Sequence, residues 1–182
     1  LVDGGARQVL RRAHIVRQRT RLKNQVHAIL HRNLIPRCPA ADLFGHKGRR
    51  WLAQQDLPAD ELAAATALLR QLGFHAEELR LIDTDLGQAA LQRPQVLRLM
   101  TVPGIDATVA LSIVAAVGDF TRFRTPDKLV AYLGLNPRVR QSGGQPASHG
   151  RITKAGSAHA RGMLVEAAAR ERERETLRLS RQ

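Results

Sequence analysis

Apolar residues fall along the chain in a helical rhythm. Between Ala6 and Leu34 there is no proline or glycine, and Ile15, Leu22, Val26 and Ile29 recur at spacings of seven, four and three. That pattern predicts one long helix with a narrow apolar seam. Pro36 and Pro39 end it, because proline cannot continue the amide ladder. The connector ADLFGHKGRRWLAQQDLP follows, with Phe44 and the sole tryptophan, Trp51, as apolar anchors for packing on a neighbouring helix. Pro58-Ala59-Asp60-Glu61 has the character of a first helical turn, its acids at the positive end of the helix dipole. Leu62, Leu68, Leu69, Leu72, Leu79, Ile82 and Leu86 carry that second helix to about Leu91. Residues 1–93 are therefore expected to form a helical hairpin or coiled coil.

Pro94 opens a second region, 94–170. Val96, Leu97 and Met100 mark a short apolar helix, Pro103-Gly104-Ile105 a tight turn, and Ala107 to Val117 a second apolar helix. This order resembles a helix-hairpin-helix, whose turn amides and following helix N-terminus can hold a phosphate. The usual second glycine of such a turn is here Asp106. An acid can cap the next helix but repels phosphate, so the motif reads either as a DNA contact or as packing. Thr125, Pro126 and Asp127 start a short helix to Tyr132, and Gly134 closes it. A last helix runs from about Gly156 to Arg174, with Ser157 placed to cap it. Ala160, Met163, Leu164 and Ala167 form its apolar stripe. The charged tail, 171–182, is expected to fray. The fold class is mainly α: a long helical hairpin or coiled coil, then a compact helical domain with a helix-hairpin-helix-like turn.

Charge changes this picture. The 182 residues carry 29 Lys and Arg against 16 Asp and Glu, a net charge of +13 and a pI near 11.5. Such an excess favours a polyanionic partner, with nucleic acid foremost. Arg11, Arg12, Arg19 and Lys23 lie beside the seam, and no acid occurs between Asp3 and Asp42. Without i,i+4 acids the first helix cannot neutralise itself. Those four cations are expected to contact nucleic-acid backbone, the alternative being a solvated helix face. Aromatic content of 3% argues against single-strand binding by base stacking.

Other classes recede. One cysteine, Cys38, excludes an intramolecular disulfide and a Cys-rich zinc site. His27 and His31 stand at i,i+4 but lack a third ligand. Asp83 and Asp85, two apart on a helix, face different sides. No metal site is therefore assigned. No apolar run approaches about 18 residues, and the start has no apolar signal region, so the expectation is a cytoplasmic chain without a membrane partner. It opens on Leu1 and stops within a charged helix, which reads as a fragment.

The candidate chemistry lies between Gly134 and Glu166. Ser142 sits in Ser142-Gly143-Gly144, with Arg138 and Arg140 before it and Arg151, Lys154 and Arg161 after it. No acid occurs between Asp127 and Glu166. Glycines allow close backbone approach, and successive turn amides make anion-binding concavities. The stretch reads either as a phosphate-contacting loop or as the site of a nucleophile. A serine hydroxyl needs a base or metal to activate it, and cations to offset charge on phosphoryl oxygens. His149 is a conceivable proton acceptor or simply a solvated histidine, and Ser148 and Thr153 are rival hydroxyls.

The ordered set PGI, GDF, RF, LVAYLGLNP, QSGG, GRITKAGS, AR and LVEAAA resembles the C-terminal domain of the IS-one-ten family of insertion-sequence transposases, bridge-RNA-guided recombinases. The likeness covers about Leu97 to Ala169, and LKNQVHAIL with DLFGHKGRRWL is similar to that family's central coiled coil. The resemblance implies a DNA transposase or recombinase in which Ser142 attacks DNA and forms a covalent phosphoserine link. It places the basic segment on Gly150, Arg151, Ile152, Thr153, Lys154 and Gly156. It further implies DNA and a noncoding guide RNA as partners, and Mg²⁺ held by Asp and Glu of a RuvC-like domain; the apolar seam itself suggests a homo-oligomer through the coiled coil, although one seam also fits an intramolecular hairpin. This sequence carries no such carboxylate cluster, so no cofactor is expected in this chain and the fragment alone is expected to be inactive. The competing reading is a non-catalytic nucleic-acid-binding helical module, a degenerate transposon remnant. Both readings predict salt-sensitive binding; chemistry at Ser142 separates them.

Overall fold

The computed structural model describes residues 4–141 and 148–179. In chain order it contains α1 (Gly4–Arg32), α2 (His46–Leu52), α3 (Ala59–Leu91), α4 (Pro94–Met100), α5 (Ala107–Val117), a single 3-10 turn (Phe120–Arg122), α6 (Pro126–Tyr132), β1 (Pro137–Arg140), β2 (Ser148–Ile152) and α7 (Ala158–Leu179). The class is mainly α, as the periodicity predicts. The antiparallel β1–β2 pair was not signalled by that periodicity: β2 is exposed along nearly its whole length with no apolar alternation, and the alternation of β1 spans only four residues.

The chain divides into two compact units, residues 10–84 and residues 1–9 with 85–182. In the first, Val26, Ile29 and Leu30 of α1 meet Leu43, Leu52, Leu57 and Ala65, with Phe44 and Trp51 packed against them. Val26 is fully buried and Leu52 nearly so; each such side chain contributes about 1.5–3 kcal/mol relative to exposure. Arg11 and Arg12 near the start of α1 meet Glu78 and Asp83 of α3, while Arg32 at its end meets Glu61. The two helices therefore run in opposite directions. The apolar seam is consumed inside the chain: Ile15, Val26 and Ile29 are buried here.

Helix α1 stops before its prolines. Leu34 takes φ +55, and the Ile35 amide donates to the Leu30 carbonyl at 3.0 Å. A left-handed residue closes the helix, with leucine where glycine is usual.

In the second unit, α5 packs against α4 and α7. Val109, Ile113 and Val117 of α5 join Leu133 and, from α7, Ala160 and Ala167 to form the core. Helix α6 starts at Pro126 as expected, although Thr125 at its N-cap makes no side-chain cap hydrogen bond. Its end is a Schellman closure: Gly134 takes φ +70, and the amides of Gly134 and Leu135 donate to the Ala131 and Val130 carbonyls. Ser157 caps α7, its hydroxyl accepting from the Ala160 amide. The expected fraying is not seen as far as Leu179; Glu and Arg three or four apart, such as Glu166–Arg170 and Glu171–Arg174, support the helix.

Candidate nucleic-acid interface

The segment singled out for its chemistry is carried by the β1–β2 hairpin. Arg140 pairs with Ser148, Val139 with His149 and Pro137 with Ile152, with an irregularity between Pro137 and Val139. Ser142 and Gly143 lie outside the described residues, on the connection between these two strands. Arg138, Arg151 and Lys154 are exposed, and among the described residues none of them meets an acid. A Cβ built on Gly150 would lie 3.7 Å from that of Arg138, so the arginine emerges on the glycine's side of the ribbon. His149 is exposed.

Backbone bonds extend the ribbon at its base. The Thr153 amide donates to the Asn136 carbonyl at 2.8 Å, and the Lys154 amide to the Gly134 carbonyl at 3.1 Å. Lys154 itself takes φ +58, a left-handed bend that turns the chain toward α7. Arg161 has a structural task. Half-buried, it donates to the Leu133 carbonyl at 3.3 Å, satisfying the end of α6 from the first turn of α7.

The Pro103-Gly104 turn is also claimed by packing. Gly104 takes φ +80, and a Cβ there would stand 2.5 Å from the Ala167 carbonyl of α7. Asp106 caps α5 by accepting from the Val109 amide at 2.9 Å, and its other oxygen accepts from Arg170 at 2.8 Å. Hydrogen bonds from the Arg170 guanidinium to Glu166 and then to Asp106 raise its pKa above the ordinary value. Of the two readings of this turn, packing is the one with contacts: a carboxylate already fills the N-terminus of α5, where a phosphate would bind.

Of the four cations expected at nucleic acid on α1, Arg12, Arg19 and Lys23 are half-buried and Arg11 is exposed. Arg11 is paired with Glu78, and Arg12 with Asp83 at 2.6 Å. Arg19 is half-buried in a groove with Arg12, Leu79, Arg80 and Asp83, its Nε buried without a hydrogen-bond partner. Lys23 places its Nζ 4.8 Å from the centre of the Phe44 ring, and His27 meets the same ring edge-on at 5.5 Å. Acids that are remote in sequence supply what the helix lacks locally. Asp83 belongs to that pairing, and among the described residues no three metal-ligating side chains converge, so the residues in hand do not fit a Mg²⁺ site. Among them, too, no helix is long and apolar enough to cross a membrane.

Comparison with known proteins adds a family. Residues 96–180 match the model of the transposase family IS116/IS110/IS902. The chain is 31% identical over 168 residues to a probable family 20 transposase of Pseudomonas aeruginosa, covering 86% of this chain and 47% of that protein. It is 27% identical over 164 residues to the transposase for insertion sequence element IS1328 of Yersinia enterocolitica, covering 85% of this chain and 46% of the relative. It is also 27% identical over 159 residues to the transposase for insertion sequence element IS1111A of Coxiella burnetii, covering 86% and 43%. The chain thus spans less than half the length of each of these relatives. No solved structure matches it.

Proposed function

Residues 96–180 belong to the IS116/IS110/IS902 transposase family, and on that premise we propose that the chain supplies the serine-bearing, DNA-gripping part of a DNA transposase. The supporting observation is the β1–β2 ribbon. It keeps Arg138, Arg151 and Lys154 exposed and unopposed by acids on either side of the segment that carries Ser142. In the proposed step the Ser142 hydroxyl oxygen attacks a backbone phosphorus. A Ser–O–P bond forms and the bond to the 3′ oxygen breaks. The serine proton passes to a base, and the departing oxygen takes a proton to leave a free 3′ hydroxyl. Arginine and lysine at the ribbon offset charge on the non-bridging oxygens. They also position the backbone, which is the contribution expected of phosphate contacts.

Mg²⁺ belongs in this proposal only as a contribution of acidic residues beyond those of this chain; a metal there would supply Lewis-acid assistance to the same displacement. A guide RNA is carried over from the family resemblance.

The test is trapping. A protein containing this chain together with its metal-binding part should yield a covalent protein–DNA adduct on cognate DNA that resists denaturation. Ser142→Ala should remove the adduct and leave DNA affinity within about twofold, since the hydroxyl contributes little to phosphate binding beside three cations. An undiminished adduct in Ser142→Ala would exclude this serine. Salt-sensitive DNA binding with no adduct even in the unaltered protein would favour the non-catalytic module.

A further inference from the structure

The inner flank of α1 is spoken for, but its outer face is not. His14, Arg17, Arg21 and Asn24 are all exposed. They follow one another at intervals of three, four and three, so they lie on one side of the helix. That side is opposite the buried Ile15, Val26 and Ile29. Among the described residues neither Arg17 nor Arg21 has an acidic partner. Ion pairs with α3 tie Arg11 and Arg12 at one end of the helix and Arg32 at the other, while Arg17 and Arg21 lie on the face turned away from those acids.

We infer that this outer face of α1 is a second DNA contact, built to lie along the phosphate backbone of a duplex and separate from the β1–β2 ribbon. That the partner is DNA rests on the transposase reading; that the face binds phosphates rests on its own charge. Arg17 and Arg21 are one turn apart, about 6 Å along the axis, on the scale of the steps between phosphates in a duplex. Asn24 beside them, with Gln25 also exposed, adds the neutral donors that commonly accompany arginine at phosphates. No Phe, Tyr or Trp lies on this face, so it lacks the large rings on which unstacked bases are held. A regular duplex backbone is the surface that such a helical basic stripe complements.

The experiment is a salt titration of binding by the whole chain to a short DNA duplex, repeated with an RNA duplex of the same sequence. The double variant Arg17→Gln/Arg21→Gln removes two exposed charges and no internal contact, so its helical content and melting temperature should match the unaltered chain. Its log affinity against log salt should be shallower by about 2. The advantage of the unaltered chain should accordingly shrink about tenfold between 50 and 200 mM salt. The pair Arg11→Gln/Arg12→Gln should lower the melting temperature and leave the slope alone. An unchanged slope in Arg17→Gln/Arg21→Gln overturns the inference, as does an equal loss of slope in Arg11→Gln/Arg12→Gln. A loss confined to the RNA duplex overturns the choice of DNA. Arg138→Gln/Arg151→Gln separates this from the functional reading: lost DNA binding there beside an unchanged Arg17→Gln/Arg21→Gln discards the α1 face alone. Absence of any duplex binding by the unaltered chain discards both.

Discussion

Gly134 and Gly156 interlock. A Cβ on Gly134 would stand 2.0 Å from the Ala155 carbonyl oxygen, and one on Gly156 would stand 2.0 Å from that of Tyr132. Each glycine thus lies against the chain just beside the other, and each takes a positive φ, +70 and +117. The pair fastens the base of the β1–β2 ribbon to the end of α6. It gives a physical reason for glycine in both the LGLNP and the TKAGS stretches.

Substituting either glycine by alanine should therefore be severe. The neighbour is backbone, which cannot swing aside, and the left-handed conformation is strained for any residue with a Cβ. We expect a loss of about 3 kcal/mol or more for Gly134→Ala or Gly156→Ala, a fall of about 10 °C in melting temperature. The contrast is Gly162 inside α7, where a Cβ would meet nothing within 4 Å. Gly162→Ala should raise stability by about 1 kcal/mol. Equal behaviour of the three variants in thermal unfolding would contradict the interlock.

Asp106 separates a packed turn from a phosphate-binding one. Asp106→Ala should cost about 1 kcal/mol through loss of the α5 cap. Asp106→Asn keeps an acceptor for the Val109 amide and removes the charge. If this turn touched DNA, that change would raise affinity. Because Gly104 faces the Ala167 carbonyl, we expect DNA affinity to stay within twofold, as measured by the same duplex titration.

Leu34 is the reverse of the glycine pair. It is 90% exposed and holds φ +55, so its side chain contributes little packing while its backbone is strained. Leu34→Gly should relieve about 1–2 kcal/mol of left-handed strain, partly offset by the greater freedom of glycine in the unfolded chain. A net gain of about 0.5–1 kcal/mol is expected from chemical denaturation. A loss would mean that Leu34 is held by contacts at its side chain.

Asp119 sets a pH dependence. The Thr121 hydroxyl donates to its carboxylate at 2.7 Å and the Thr121 amide at 2.8 Å. Those two bonds, the hydroxyl's first, hold its pKa below the ordinary 3.8. A folded-state value below the unfolded one means the contribution is complete above the unfolded value and is lost as pH falls through the folded value. The gap in melting temperature between the unaltered chain and Asp119→Ala should therefore be constant from neutral pH down to about 5 and narrow below about 4. A gap that widened on acidification would contradict the assignment.

Much of this architecture was legible in the residues themselves. The helix limits at Leu91, Pro94, Ala107, Val117 and Tyr132, the Gly134 closure and the Ser157 cap all depend on neighbours within about one turn. Periodicity and capping chemistry report such interactions directly. The β1–β2 ribbon was not legible, because both its strands are short and β2 is exposed along nearly its whole length. What signal it had was a Gly-Gly pair between Arg-Val-Arg and His-Gly-Arg-Ile, a hairpin cue equally consistent with a loop. The site's composition was visible; the ribbon that organises it was not.

The arginines of α1 divide the matter most clearly. The sequence by itself determined that a long, acid-free, basic helix with one apolar seam would form, since charge and periodicity are properties of the segment. It could not determine which arginines stay free. Arg11 is neutralised by Glu78, 67 positions away, and Arg12 by Asp83, 71 positions away. Only the antiparallel packing of α1 on α3 decides that these two meet acids while Arg17 and Arg21 do not. Ion pairing acts through space over a few ångströms, so the choice belongs to the tertiary structure.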